Sequence, residues 1–287
     1  MIRLGVDSFI WTDNFSEKDL WIIPKAKEMG FETIDIYIAD VDTFPTGLVK
    51  KEVQKAGIEV VTTHGLPEDA NTISPDPEIR SRGKKLLKKL IDLNISLGSK
   101  IAAGISYAAW GYRSGKPRTE QEWEWSVTAL REAAEYAKER DDLIIAVEAV
   151  NRFETHFLNI AADAVQYCKD VGTGNVKVHL DTFHMIREED SFTGAVETCG
   201  KEYLGYVHAC ESQRGIPGTG LVPWKEFFSA LKNIGYDGPV VIESFDPSFE
   251  EINRLCSIWR KLADSGEELA AKGLAFLQGV VSQTEKV

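Results

Sequence analysis

A (β/α)8 TIM barrel with extra C-terminal helices is the fold class this sequence predicts, on three observations. Eight short apolar runs, rich in β-branched residues, recur along the 287 residues. Amphipathic, helix-like stretches separate them, and strands alternating with helices build parallel βαβ units. Eight such units in roughly 250 residues is the size of one barrel. The chain is therefore expected to form one domain over residues 1–287, although a rule of about 150 residues per domain would suggest two.

The elements follow in order. IRLGV (2–6) is the first strand, and it runs into DSFIW. A doubly wound dinucleotide fold would place a glycine-rich phosphate loop there instead. The helix-like EKDLWIIPKAKEMG precedes the strand TIDIYI (33–38), and IEVVTT (58–63) is the third strand. PEIRSRGKKLLKKLIDLNISLG leads to KIAAGI (100–105), and EQEWEWSVTALREAAEYAKER leads to LIIAVEAV (143–150). AADAVQYCKDVG precedes VKVHL (176–180), LGYVHA (204–209) follows, and PWKEFFSALKNIG precedes PVVIESF (239–245). Gly30, Gly57, Gly98 and Gly235 each stand just before a strand, where glycine commonly stops a helix. From Ser257 onward the sequence reads as one or two helices outside the barrel. No linker, low-complexity segment or shorter repeat interrupts the alternation.

Composition narrows the function. The net charge of −12 opposes nucleic-acid binding, which needs a basic surface, and opposes anionic membranes. Cys168, Cys199, Cys210 and Cys256 contain no C-x-x-C pair, so neither a zinc knuckle nor a redox motif is expected. Scattered single cysteines fit a reducing compartment. No signal-peptide pattern begins the sequence, and no run reaches the length of a membrane span. A cytoplasmic protein is expected.

Active sites of this fold lie at the C-terminal ends of the strands. Strands five to eight end on Glu148, Asp181, His208 and Glu243, spaced by 33, 27 and 35 residues. Each spacing is close to one βα unit, which predicts the same layer on four neighbouring strands. Singly, each has a plain structural explanation: a solvated rim glutamate, an aspartate capping the next helix, a hydrogen-bonded core histidine. Together they bring three carboxylates and an imidazole to one point, and that much buried charge needs a counter-charge. A divalent cation supplies it. Oxygen-rich ligation with one His suits Mn2+, with Co2+ and Mg2+ as further choices. Two open positions of an octahedron would then suit a diol or hydroxyketone.

At this point the sequence resembles a known family. VEAVNRFETHFLN, LDTFHM, GYVHACESQRGIPGTG and VVIESF are similar to segments of the ketose 3-epimerases of the xylose-isomerase-like barrel superfamily. These act on D-tagatose, D-allulose (D-psicose) or L-ribulose. VHxxESxRGxxGTG, with ESF in strand eight, resembles the L-ribulose branch most. The resemblance implies Glu148, Asp181, His208 and Glu243 as metal ligands, with Glu148 and Glu243 as the acid/base pair. It implies Glu154 near substrate O1, His184 and Arg214 at the O1–O2 end, and supporting roles for Asn151 and Arg152. The implied reaction interconverts C3 epimers of free ketoses. The C3 proton is acidic because it is α to the C2 carbonyl; one glutamate removes it, and the other returns a proton to the opposite face through a metal-stabilised enediolate. A homodimer or homotetramer is implied as well.

Softer features complete the reading. Phe9, Trp11 and Trp110 follow strands one and four and suit the apolar wall of a sugar pocket, or equally loop packing. His64 ends strand three and can face the pocket or the core. GYRSGKPRTEQEWEW (111–125) suits a lid, a specificity loop or solvated surface. His156 and His179 read as structural, His179 pointing inward but deeper. The sequence departs from its relatives at Ile186-Arg187 and Gln213, in loops that shape the substrate pocket. The competing functions are an aldose–ketose isomerase, a keto-inositol dehydratase, an apurinic endonuclease and a non-catalytic sugar-binding barrel. The charge of −12 opposes the endonuclease, and the paired glutamates favour C3 chemistry over the others.

Overall fold

A computed structural model describes residues 2–285. Eight strands close into a parallel barrel in sequential order. They are β1 (Arg3–Asp7), β2 (Thr33–Tyr37), β3 (Glu59–Leu66), β4 (Ile101–Ala109), β5 (Ile144–Glu148), β6 (Val176–Asp181), β7 (Leu204–Ala209) and β8 (Pro239–Ile242). The helices are α1 (Ile22–Glu28), α2 (Thr46–Ala56), α3 (Pro77–Leu97), α4 (Glu120–Lys138), α5 (Ala161–Val171), α6 (Thr182–Glu188), α7 (Phe192–Tyr203), α8 (Trp224–Asn233), α9 (Glu250–Cys256) and α10 (Gly266–Glu285). The barrel closes where Arg3 pairs with Pro239 and Val6 with Ile242.

Local chemistry sets the boundaries. The side chain of Asp76 accepts from the Glu78 backbone, and Pro77 occupies the first turn of α3, where its missing N–H costs nothing. That helix stops at Gly98, at φ 89°, a left-handed conformation that glycine adopts without a Cβ penalty. Thr119 and Glu122 form a reciprocal cap at the start of α4. On α8, Trp224, Phe227, Phe228 and Leu231 are buried, an i, i+3, i+4, i+7 stripe that faces the sheet.

Two apolar layers result. Val61, Ile101, Ala103, Ala146, Tyr206 and Val241 fill the lower barrel interior. A much larger cluster joins the outer faces of the strands to the helices. Gly5 lets β1 approach its neighbours in that interior: a Cβ there would stand 2.8 Å from the Thr33 carbonyl oxygen and 2.7 Å from Val241.

The sequence-based boundaries of β4 and β8 need correction. β4 runs on to Ala109, because its continuation still pairs with β3, Leu66 opposite Ala109. β8 ends at Ile242, so Glu243 stands just beyond it. The tail from Ser257 onward forms α10, within the one or two helices expected there, and a further helix, α9, forms earlier, in the loop after β8. α10 packs on α8, β1 and β8. Among the described residues, no helix is long and apolar enough to cross a membrane.

Candidate active site

The strand ends bring Glu148, Asp181, His208 and Glu243 into the barrel mouth, all buried. They do not share one layer. Asp181 is the register partner of His208, but Glu148 pairs with His179, and His208 pairs with Val241, two residues before Glu243. Closing a barrel staggers its strands, so spacings of one βα unit do not give equal heights. The donor atoms still converge. Single ligand atoms of Asp181, His208 and Glu243 lie within 4.8 Å of one another, as do those of Glu148, Asp181 and His184.

Asp181 does two jobs with two oxygens. Oδ1 accepts from the Phe183 backbone, 2.7 Å away, and caps α6. Oδ2 is buried without a hydrogen-bond partner, and so is Nδ1 of His208. Unpartnered buried polar atoms are costly, and two of them aimed into a carboxylate cluster suit a cation. Oxygen donors plus one imidazole are the donor set of a hard or borderline divalent metal.

The local electrostatics are uneven. Burial, then the other carboxylates, hold the Glu148 carboxyl well above its usual range. Asp181 is pushed up to about 7 by burial and by Glu243. Burial would raise Glu243 too, but Arg214 and His208 outweigh it and hold that carboxyl low. Burial opposes charge on His208, yet Glu243 and Asp35 outweigh it and raise its pKa.

Above the carboxylates lies a polar group built on three loops. Arg214 contacts Glu243, and its Nη1 and Nη2 stand 3.6 Å from Asp181 and 3.7 Å from Glu154. Its guanidinium lies over Phe183, 3.7 Å from the ring centre. The Arg214 backbone is at φ 63°, a conformation that costs a non-glycine residue of order 1–3 kcal/mol and must be held from outside. Ser244 Oγ donates to its carbonyl, and Glu211 fixes its loop, accepting from Ser212, Gly218, Val222 and the Trp224 ring. Glu154 accepts from Trp110 Nε1 and Asn151 Nδ2, each at 2.9 Å. The Asn151 N–H donates to His184 Nδ1 at 3.0 Å. That assigns the His184 proton to Nε2, which faces Glu148 at 3.5 Å and Asp181 at 3.7 Å.

A narrow cavity of about 40 Å³ joins Glu148, His208, Glu243, His184 and Arg214 to an apolar side made of Phe9, Tyr37, Trp110 and Phe245. It continues into an outer cavity of about 530 Å³, lined by Arg113, Phe153, Arg187 and Arg254 among others. Phe9 and Trp110 therefore sit where a pocket wall is expected. Trp11 does not: it packs edge-on against Trp21, ring centres 6.4 Å apart, because the 3-10 turn Ser8–Ile10 swings it away. His64 lines the cavity edge, with its Nε2 2.9 Å from Ser106 Oγ. Of the 111–125 stretch, Gly111 and Arg113 reach the outer cavity, while Trp123 stacks with Phe157 in the core. Arg187 donates to the carbonyls of Phe183 and Ser212, which ties α6 to the loop carrying Arg214. Arg152 pairs with Glu188 at the surface. His156 lies 3.5 Å from Glu122. His179 stands edge-on below His208, ring centres 4.3 Å apart.

Sequence reasoning missed Asp7, Asp35, Tyr206 and Glu211. The first three face the barrel interior and are fully buried. The period of two along RLGVD and TIDIY was the available signal.

A barrel with a carboxylate–imidazole cluster at its C-terminal mouth defines the class: a metal-site (β/α)8 enzyme scaffold. The sequence profile of the "Xylose isomerase-like TIM barrel" family matches residues 23–280. A ketose 3-epimerase of Arthrobacter globiformis is 34% identical, over 96% of this chain and 96% of its own. A solved L-ribulose 3-epimerase superposes with a TM-score of 0.94 at 32% identity, over 100% of this chain and 96% of that one. D-allulose 3-epimerase from Methylomonas sp., solved with D-allulose, gives 0.92 at 32%, over 97% and 96%. The chain belongs to the xylose isomerase-like TIM barrel family and, within it, to the ketose 3-epimerases.

Proposed function

We propose that the protein is a metal-dependent carbohydrate epimerase of the isomerase class, which interconverts C3 epimers of free ketoses of the D-allulose/D-fructose, D-tagatose/D-sorbose or L-ribulose/L-xylulose type. One observation carries the reading: two buried glutamates, from β5 and from the end of β8, flank a cluster whose orphaned Asp181 Oδ2 and His208 Nδ1 suit a divalent cation. Glu148, Asp181, His208 and Glu243 would hold the metal. When bound, it supplies Lewis-acid stabilisation of negative charge on substrate oxygens.

The chain's residues do the rest. One of Glu148 and Glu243 takes the C3 proton, and the other delivers a proton to the opposite face. Glu154, His184 and Arg214 hold the O1–O2 end, oriented by Asn151, Trp110 and Glu211. Phe9 and Trp110 exclude water from the far wall. Mn2+ is the preferred metal, with Co2+ and Mg2+ as substitutes. The 287 residues form one domain, which works in the cytoplasm as a homodimer or homotetramer; four buried, unbridged cysteines support a reducing compartment.

Incubation of D-fructose, D-tagatose and L-ribulose in deuterated water tests the reaction. Deuterium at C3 of both epimers is expected. Label confined to C1 would replace the epimerase with an aldose–ketose isomerase.

A further inference from the structure

The deep interior on the β1–β2 side carries carboxyl groups that the reaction does not use. We propose that Asp35 is a positioning residue for the metal site: it holds the Nε2–H of His208 and so presents Nδ1 to the cluster. The proposal rests on the reading of His208 as a metal ligand.

Asp35 comes from β2, across the barrel from β7, and is fully buried. Its Oδ2 lies 3.1 Å from His208 Nε2 and accepts from Tyr206 Oη at 2.5 Å. Its Oδ1 accepts from Thr63 Oγ1 at 3.0 Å. The carboxylate is thus fixed from β3 and β7 and has little freedom to follow a moving imidazole. A carboxylate oxygen accepts and an imidazole N–H donates. Asp35 therefore claims the proton for Nε2. Nδ1 is then the ring nitrogen that faces the cluster, 3.3 Å from Glu243 Oε1 and without a hydrogen-bond partner. Ligating histidines commonly give their second N–H to a carboxylate in this way, which sets tautomer and ring orientation.

The neighbouring Asp7 does not compete for this role. Its Oδ1 accepts from the Phe9 backbone at 2.5 Å, and its Oδ2 has no partner. His179 meets His208 edge-on but makes no hydrogen bond to it. Asp35 is the carboxylate within hydrogen-bond reach of Nε2.

The test measures Mn2+ binding to the chelator-treated full chain by competition with a fluorescent chelator. Asp35→Ala is expected to weaken Mn2+ binding about 10- to 100-fold, and Thr63→Val, which removes a donor to Asp35 and leaves His208 untouched, by less than about 3-fold. Asp35→Asn, whose amide oxygen can still accept from Nε2, should recover much of the affinity. A residue that only supports the fold would lower Tm in all three and leave the Mn2+ affinity of the folded protein unchanged; that result overturns the proposal. Failure of the wild type to bind Mn2+ stoichiometrically would instead overturn the metal reading. Should the Ala variant not fold, the long-range 1H–15N spectrum of the Mg2+-loaded wild type decides. A His208 proton on Nε2 is expected, and one on Nδ1 refutes the assignment.

Discussion

The two halves of the barrel mouth are built from the same kind of strand–loop unit and arrive at different chemistries. On the β5–β8 half, inward positions hold Glu148, Asp181, His208 and Glu243. On the β1–β4 half the cavity is lined by Phe9, Tyr37, Thr63 and His64, with Trp110 beyond β4, while Asp7 and Asp35 face the barrel interior. The aromatic rings contact one another across the wall, Phe9 to Tyr37 at 4.6 Å and Tyr37 to Trp110 at 6.2 Å between centres. A dry wall facing a charged one lowers the local dielectric and strengthens each electrostatic contact inside. On the proposed function, the charged half would carry the reaction and the aromatic half would select the sugar.

That division can be broken from either side. The largest effect is expected on the charged half: Glu148→Gln and Glu243→Gln should each lower kcat by about 10³-fold, the scale of losing a general acid or base, with the circular dichroism spectrum unchanged. Next, chelation should abolish turnover, and Mn2+ should restore it. Mn2+ at a hundred times its Kd should also stabilise the fold by about 2.7 kcal/mol, read as a rise in Tm. On the aromatic half, Trp110→Phe keeps the ring but loses the hydrogen bond to Glu154, so KM should rise about tenfold with kcat little changed. Phe9→Leu should shift the relative kcat/KM for five- and six-carbon ketoses about fivefold, the scale of one aromatic contact. The smallest effect belongs to Trp11→Phe: kcat/KM should stay within about twofold, because that ring packs outside the cavity.

The charged half was the more legible in sequence, for a physical reason. Each of its residues ends a run of buried β-branched residues, so spacing alone brought Glu148, Asp181, His208 and Glu243 to one mouth. Their heights were not legible, because stagger belongs to the closed barrel and not to any one strand. The aromatic half was read less well. Phe9 and Trp11 look alike two residues apart, and only the turn Ser8–Ile10 separates wall from packing. Asp7 and Asp35 went unremarked because one aspartate on a strand looks like a rim residue until the opposite strand supplies His208. The positive φ of Arg214 has no sequence signature at all, since its causes are Glu211 and Ser244 on either side. Arg187 left its apparent oddity behind once its two carbonyl partners were visible.

The seam between β1 and β8 has a consequence for how the molecule comes into being. It pairs Arg3 with Pro239, positions 236 apart, so the sheet stays open until nearly the whole chain is present. Contacts this distant in sequence form slowly, because the entropy of closing the intervening chain precedes any gain from pairing. Glu243 lies one residue past the last seam pair, Val6 with Ile242. β8 also pairs with β7, Ala209 opposite Ile242, so the glutamate that completes the site belongs to the last strand on both of its edges, and a chain that stops short of β8 carries three of the four converging side chains without the fourth.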